Sequence, residues 1–301
     1  MSILPPIPPT RQLGKSGIEV SSLAWGMWRF AGRDVGEATA LVHAAFDAGI
    51  TFFDTADIYG FGDQGFGAAE ALLGEVFAEN PSLRARMVLA TKGGIIPPAP
   101  YDQSRAYLME ALEASLKRLR VDYVDLWQVH RPDILTHPQE LARTLEEMVK
   151  SGKVRAIGVS NFTNAHVGAL RSFVDIPIAS TQPEFSPLQI APIENGELDK
   201  AMKHDMAVLA WSPLGGGRIA DPVSQREQAV AAALSGVAAA HGVSRTAAAY
   251  SWIMAHPAHP IPIVGSQNPA RIAEAADAYK IKWTRADWYS VLVAARGVPL
   301  P

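Results

Sequence analysis

The sequence predicts an α/β chain closed as a (β/α)8 TIM barrel, with an N-terminal hairpin and extra helices. Three observations carry that prediction. Short β-like runs alternate with helix-patterned segments, the runs number eight, and polar residues able to do chemistry follow nearly every run. Alternation implies parallel strands joined by right-handed crossovers. Eight such strands close a barrel of about 250 residues whose active site collects at the C-terminal strand ends.

The elements follow in order. Met1 to Thr10 carries four prolines and no basic-then-apolar pattern, so it does not read as a signal peptide. From Gln12 to Val20, two short extended runs flank a Lys15-Ser16-Gly17 turn, which reads as a hairpin. The strand runs are Leu23–Met27, Thr51–Thr55, Met87–Thr91, Tyr123–Val129, Ala156–Ser160, Ile178–Thr181, Ala207–Trp211 and Ile261–Val264. Helices are expected over Ala38–Ala48, Ala68–Phe77, Ser104–Leu119, Pro138–Lys150 and Ala165–Phe173, where apolar residues recur at spacings of three and four. Gly49 and Gly152 read as C-terminal caps and Thr163 as an N-cap. The surplus length goes to the hairpin, an inserted helix around Gln225–His241 and a C-terminal helix over Thr284–Arg296.

Composition bounds the function. The chain has 301 residues, 48% hydrophobic and 19% charged, an ordinary globular balance able to bury a large core. No composition shift marks a linker, so residues 1–301 read as one domain. Lys+Arg at 27 against Asp+Glu at 30 gives −3, with no basic run to track a nucleic-acid backbone. Zero cysteines exclude disulfides, thiol catalysis and Cys-ligated metals, and fit the cytoplasm. The longest apolar stretch, Ala229 to Ala240, is broken by Ser235 and Gly236, so no membrane span is expected. His256 and His259 have no third ligand to make a metal site. Monomer and homo-oligomer both remain open.

One motif points elsewhere. Gly60-Phe-Gly62-Asp-Gln-Gly65 matches the G-x-G-x-x-G fingerprint of a doubly wound dinucleotide-binding sheet. It follows the second strand rather than the first, and no acidic residue ends a strand some 20 residues later to hold a ribose. It reads as a glycine-rich loop.

The strand ends carry Asp54, Tyr59, Lys92 and His130. A phenol is a poor proton donor at neutral pH, with an ordinary pKa of about 10. A lysine ammonium beside it favours the phenolate, an aspartate holds the ammonium charged, and a neutral histidine can orient a carbonyl oxygen. The set suits protonation of an oxygen on which negative charge develops as hydride reaches the carbonyl carbon. Singly, each has a structural reading as well: a capping aspartate with its lysine partner, a packing aromatic, a loop histidine.

Phe52-Phe-Asp54-Thr-Ala-Asp-Ile-Tyr59-Gly, Ala90-Thr-Lys92-Gly, His130-Arg-Pro-Asp, Gly152-Lys-Val-Arg-Ala-Ile-Gly-Val-Ser160-Asn161-Phe and Trp211-Ser-Pro-Leu-Gly resemble, in order, the successive signatures of the aldo-keto reductases. The resemblance runs from about Leu13 to the C-terminal helix and is nearest the bacterial branch related to potassium-channel β subunits. It implies an NADPH-dependent reductase of a small-molecule aldehyde or ketone, reversible toward the alcohol, with NADH as an alternative cofactor. Tyr59 would be the general acid, Lys92 and Asp54 its tuning pair and His130 the carbonyl-orienting group. Ser160, Asn161 and Gln182 would hold the nicotinamide carboxamide, Trp211 would stack on its ring, and Gly26, Met27 and Trp28 would border it. Ser212, Leu214 and Gly216 would approach the pyrophosphate, with Arg218 a second phosphate contact. Gly265, Ser266, Gln267 and Arg271 would line the adenosine end, Arg271 facing a 2′-phosphate. Ser160-Asn161 as a helix cap, Gln182 as a strand-end hydrogen bonder, Trp211 as core and Arg271 as a solvated charge are the structural alternatives.

Three departures from the family pattern stand out: a longer Gly- and Phe-rich loop after Tyr59-Gly60, Gly265 where many members are basic, and Ala275 where many have Asn. The resemblance to channel subunits also allows a regulatory protein that binds NADP(H) with little turnover. Trp28, Phe30 and Phe61 are the expected pocket walls, which suggests an apolar or aromatic carbonyl compound.

Overall fold

The computed structural model describes residues 2–300. Strands β1 (Thr10–Gln12) and β2 (Glu19–Ser21) form the antiparallel hairpin, and β3 (Ala24–Gly26) begins the barrel. There follow α1 (Val35–Asp47), β4 (Phe52–Asp54), α2 (Ala68–Glu79), α3 (Ser82–Ala85) and β5 (Val88–Gly93). A small ribbon of β6 (Ile95–Ile96) and β7 (Ala99–Tyr101) precedes α4 (Arg105–Leu119), β8 (Val124–Val129), α5 (Pro138–Lys150) and β9 (Val154–Ser160). The chain continues through α6 (Asn164–Arg171), β10 (Ile178–Gln182), α7 (Ala191–Glu194), α8 (Glu197–His204) and β11 (Ala207–Ala210). It ends with α9 (Gln225–His241), α10 (Arg245–Met254), β12 (Ile261–Val264), α11 (Pro269–Ala275) and α12 (Arg285–Arg296).

Strands β3, β4, β5, β8, β9, β10, β11 and β12 pair in parallel in that order, and β12 closes on β3. All eight coincide with the strand runs read from the sequence. Two cores follow from period-two alternation along buried strands. Phe53, Trp127 and Val159 face outward into the layer between barrel and helices. Phe52, Ala90, Leu126 and Ala156 face inward, packed with Leu13, Ile18 and Val20 of the hairpin, which plugs the N-terminal end. The C-terminal end is left for chemistry.

Several local signals act as read. Thr163 caps α6 through a reciprocal box with His166, and Gly49 and Gly152 take left-handed φ of 76° and 78° just past their helices. Strand β5 runs two residues beyond its expected end because Lys92 and Gly93 pair with Gln128 and Val129 of β8. The inserted helix α9 is preceded by its N-cap Ser224, whose side chain and that of Glu227 cap it reciprocally.

Candidate active site

The inward face that is apolar at the bottom of the barrel turns polar one pleat higher. Asp54 lies two residues beyond Phe52, Lys92 two beyond Ala90 and Gln128 two beyond Leu126, so all three reach the same layer. Lys92 Nζ donates to Asp54 Oδ2 at 2.5 Å, to the Thr55 carbonyl at 2.9 Å and to Tyr59 Oη at 3.0 Å. Lys92 is fully buried and Asp54 2% exposed. Removing one partner of such a buried pair costs about 3–5 kcal/mol, because it strands the other charge.

Tyr59 is the cavity's end of this chain. Burial raises its phenol pKa; the Lys92 ammonium pulls the other way and does not fully offset it. This corrects the expectation of a net lowered phenol: a hydroxyl removed from water needs more than one cation to release its proton easily. Burial would lower the Lys92 ammonium, but Asp54 and Tyr59 together raise it, so it stays charged. His130 stands beside Tyr59, ring centroids 5.9 Å apart. Burial, then Lys92 and Arg131, hold its pKa well below the usual 6.5, which keeps the imidazole neutral near pH 7.

A cavity of about 720 Å³ opens over these residues, lined among others by Asp54, Tyr59, His130, Ser160, Asn161, Gln182 and Trp211. Asn161, at φ 58°, ties this wall together. Its Nδ2 donates to the His130 carbonyl and to Ser160 Oγ, and its Oδ1 accepts from Trp211 Nε1 at 3.0 Å. Trp211 is thus held against the cavity rather than in the core. Gln182 Nε2 donates to Asp54 Oδ1 and to Gln128 Oε1, so its amide hydrogens are already committed.

Ser212, Leu214, Gly216, Gly265, Ser266, Arg271, Gly26 and Trp28 also line the cavity. Three expected cofactor residues do not. Met27 is fully buried, its side chain drawn into the outer core by the strand alternation. Arg218 is held by the Gly215 carbonyl at 2.7 Å and by Glu227 at 3.3 Å, the carboxylate that also caps α9. Gln267 clamps the loops after β12 and β3, donating to the Gly26 carbonyl and accepting from Arg33. Of the expected pocket walls only Trp28 lines the cavity: Phe30 is fully buried, and Phe61 is 56% exposed outside it. Gly60, Gly62 and Gly65 lie outside it too, so the fingerprint-like loop does not border this cavity.

The sequence reading missed Gln128, which donates to Asp54 Oδ1 at 3.1 Å and fixes the carboxylate from the side opposite Lys92. Its place two residues before His130 on an inward-facing strand position was the available signal. Arg29, Arg131, Tyr250 and Glu274 were also missed as lining residues. Among the described residues, no group of three or more His, Cys, Asp or Glu is placed to hold a metal ion.

A parallel eight-stranded barrel with its polar layer and cavity at the C-terminal strand ends defines the class of α/β-barrel enzymes. The sequence pattern of the aldo/keto reductase family matches residues 22–292, and the chain belongs to that family. It is 64% identical over 304 residues to a 6-dehydroglucose reductase of Novosphingobium aromaticivorans, with the whole of both chains covered. It is 36% identical over 293 residues to a 6-dehydroglucose reductase of Agrobacterium fabrum, covering 93% of this chain and 96% of the relative. A probable voltage-gated potassium channel subunit beta of Arabidopsis thaliana matches over 69% of the chain at 35% identity. The crystal structure of the thermostable aldo-keto reductase Tm1743 superposes with a TM-score of 0.83, at 26% identity over 95% of this chain and 99% of that one. The protein is an oxidoreductase of this family, whose members use nicotinamide dinucleotides. Among the described residues no helix is long and apolar enough to cross a membrane.

Proposed function

We propose that the protein reduces an aldehyde to the primary alcohol, with NADPH preferred to NADH and 6-dehydroglucose as the substrate. The observation that carries this reading is the chain Asp54–Lys92–Tyr59, whose phenol borders the cavity beside a neutral His130. The 64% identity over full length to a 6-dehydroglucose reductase supports the choice of substrate.

The cavity fits a dinucleotide in shape and donor set. The turn after β11, Ser212 to Gly217, brings backbone close to the space a pyrophosphate would fill, and Arg271 lines the far end with no ion pair among the described residues. Trp211, braced by Asn161, offers a flat face to a nicotinamide, while Ser160 and the free Gln182 oxygen border its carboxamide. When bound, the reduced cofactor supplies a hydride to the carbonyl carbon.

The chain's own groups handle the oxygen. His130 donates a hydrogen bond that orients the carbonyl, Tyr59 gives its proton to the developing alkoxide, and Lys92 stabilises the phenolate left behind. Asp54, held by Lys92, Gln128 and Gln182, keeps that ammonium in place. Residues 1–301 act as one domain in the cytoplasm on a small molecule, as monomer or homo-oligomer, with no nucleic-acid or membrane partner.

The test follows NADPH and NADH absorbance with 6-dehydroglucose and a panel of small aldehydes and ketones. Turnover of the sugar aldehyde, lost in Tyr59→Phe, supports the reading. Cofactor binding without turnover of any carbonyl would replace it with a nucleotide-binding regulatory subunit.

A further inference from the structure

The wall beside Tyr59 and His130 is not the apolar one that phenylalanines would have made. Trp28 packs against Tyr59, Arg131 follows His130 and acts on its charge, and Arg29 follows Trp28; all three are exposed and line the cavity. Trp28 meets Tyr59 at 89° with centroids 5.0 Å apart, a perpendicular contact that occupies at most one face of the indole. The residue stays 64% exposed, so a broad flat apolar surface remains open next to the phenol. Among the described residues neither Arg29 nor Arg131 forms an ion pair. The carboxylate of the polar layer, Asp54, is already engaged by Lys92, Gln128 and Gln182. Among the described residues, two guanidinium forks and one indole face therefore have no partner.

We propose that Trp28, Arg29 and Arg131 form a pyranose subsite that selects sugars carrying an exocyclic aldehyde. The inference rests on the reductase reading above and says what holds the rest of the substrate. A closed pyranose has apolar C–H faces and a polar rim of hydroxyls. The indole suits the first, and planar guanidinium forks suit pairs of neighbouring hydroxyls on the second. Ring closure masks C1 as a hemiacetal, so the reducible carbonyl must lie outside the ring. An aldehyde at C6, one bond from the ring, then reaches Tyr59 while the ring rests on Trp28. Hydride from the cofactor forms the new C6–H bond, the C=O π bond breaks, and O6 takes the Tyr59 proton, leaving a primary alcohol. His130 and Tyr59 read the carbonyl; the arginines read the hydroxyls and so set specificity without touching the reacting atoms.

The experiment compares kcat/KM for 6-dehydroglucose, propanal and glyceraldehyde 3-phosphate in the parent enzyme and in Arg29→Gln, Arg131→Gln and Trp28→Ala. The expected parent order places the sugar first. Each variant should lower the ratio of sugar to propanal about tenfold, mainly through KM for the sugar, as loss of charge-assisted hydrogen bonds or stacking requires. Trp28→Phe should recover part of the loss. A preference for glyceraldehyde 3-phosphate, abolished in the arginine variants, would overturn the proposal in favour of an anion subsite. An unchanged ratio would overturn it outright, and a raised NADPH KM with every aldehyde in Arg29→Gln would move that residue to the cofactor. Calorimetric titration with D-glucose, the product, separates the subsite from the chemistry. Binding weakened in all three variants upholds the subsite even if no aldehyde is turned over, and equal or absent binding in parent and variants sinks it.

Discussion

Tyr59 and Asp57 sit two residues apart on one loop and have opposite relations to charge. Tyr59 has Lys92 at 3.0 Å, so its phenolate has a partner when the proton leaves. Replacing it with Phe removes that proton and should lower carbonyl turnover by about 10²–10⁴-fold, read from NADPH absorbance, with cofactor affinity kept. Asp57 is 1% exposed, and neither carboxyl oxygen has a hydrogen-bond partner. The nearby arginine, Arg118, is taken by Glu70 at 2.7 Å. Burial first, then Glu70, raises the Asp57 pKa well above its usual 3.8. A raised folded value means stability that is whole at acid pH and lost as pH climbs from 3.8 toward the folded value. Asp57→Asn should therefore stabilise the protein by about 1–3 kcal/mol at pH 7, and its denaturation midpoint should converge with the parent's near pH 4. A midpoint gain equal at both pH values would refute this.

Helix packing around the site depends on close approaches that the sequence marks only faintly. A Cβ at Gly74 of α2 would lie 2.0 Å from the Arg118 carbonyl of α4, so these helices meet at bare backbone. Gly74→Ala should cost about 1–3 kcal/mol in chemical denaturation, since backbone must move to admit the methyl. In α9 the Ser224–Glu227 box does double service, capping the helix and holding Arg218 off the cavity. Ser224→Ala should cost about 1 kcal/mol and leave NADPH affinity unchanged. The long amphipathic helices and eight strands were legible because period and length agree there. Helix α10 was not, because Ala247 to Met254 are buried all round and show no apolar stripe. Short α3 and α7, four residues each, lacked the length to declare a period.

The histidine contribution to barrel stability should fall on mild acidification, opposite in sign to that of Asp57. His130, His256 and His259 all have pKa values below the usual 6.5, burial being the first cause at each. A depressed folded value means the unfolded chain takes up protons first, so stability is whole above pH 6.5 and is lost as pH falls through the folded values. The melting temperature should drop between pH 6.5 and 5, and His130→Gln should shallow that slope. An equal slope in parent and His130→Gln would contradict the burial of His130. Barrel closure is what brings these effects together, since β12 pairs with β3 and joins the two ends of the chain around one cavity.

The linear chain carried the strand count, most long helices, the order of the motifs and the strand-end placement of Asp54, Tyr59, Lys92 and His130, because periodicity and strand-end position are properties of neighbours in sequence. Which side chains face the cavity depended on pleat, cap and charge partner across the fold. Met27 and Phe30 turn into the core, Arg218 and Gln267 are spent on Glu227 and the Gly26 carbonyl, and Gln128 joins Asp54 from a strand 74 residues away. Arg29 and Arg131 drew no notice in the sequence; the fold sets both at the cavity without an ion pair among the described residues, which adds two cations to a pocket whose lining stays largely apolar. Pairing between distant residues is set by three-dimensional distance, and sequence spacing does not encode it.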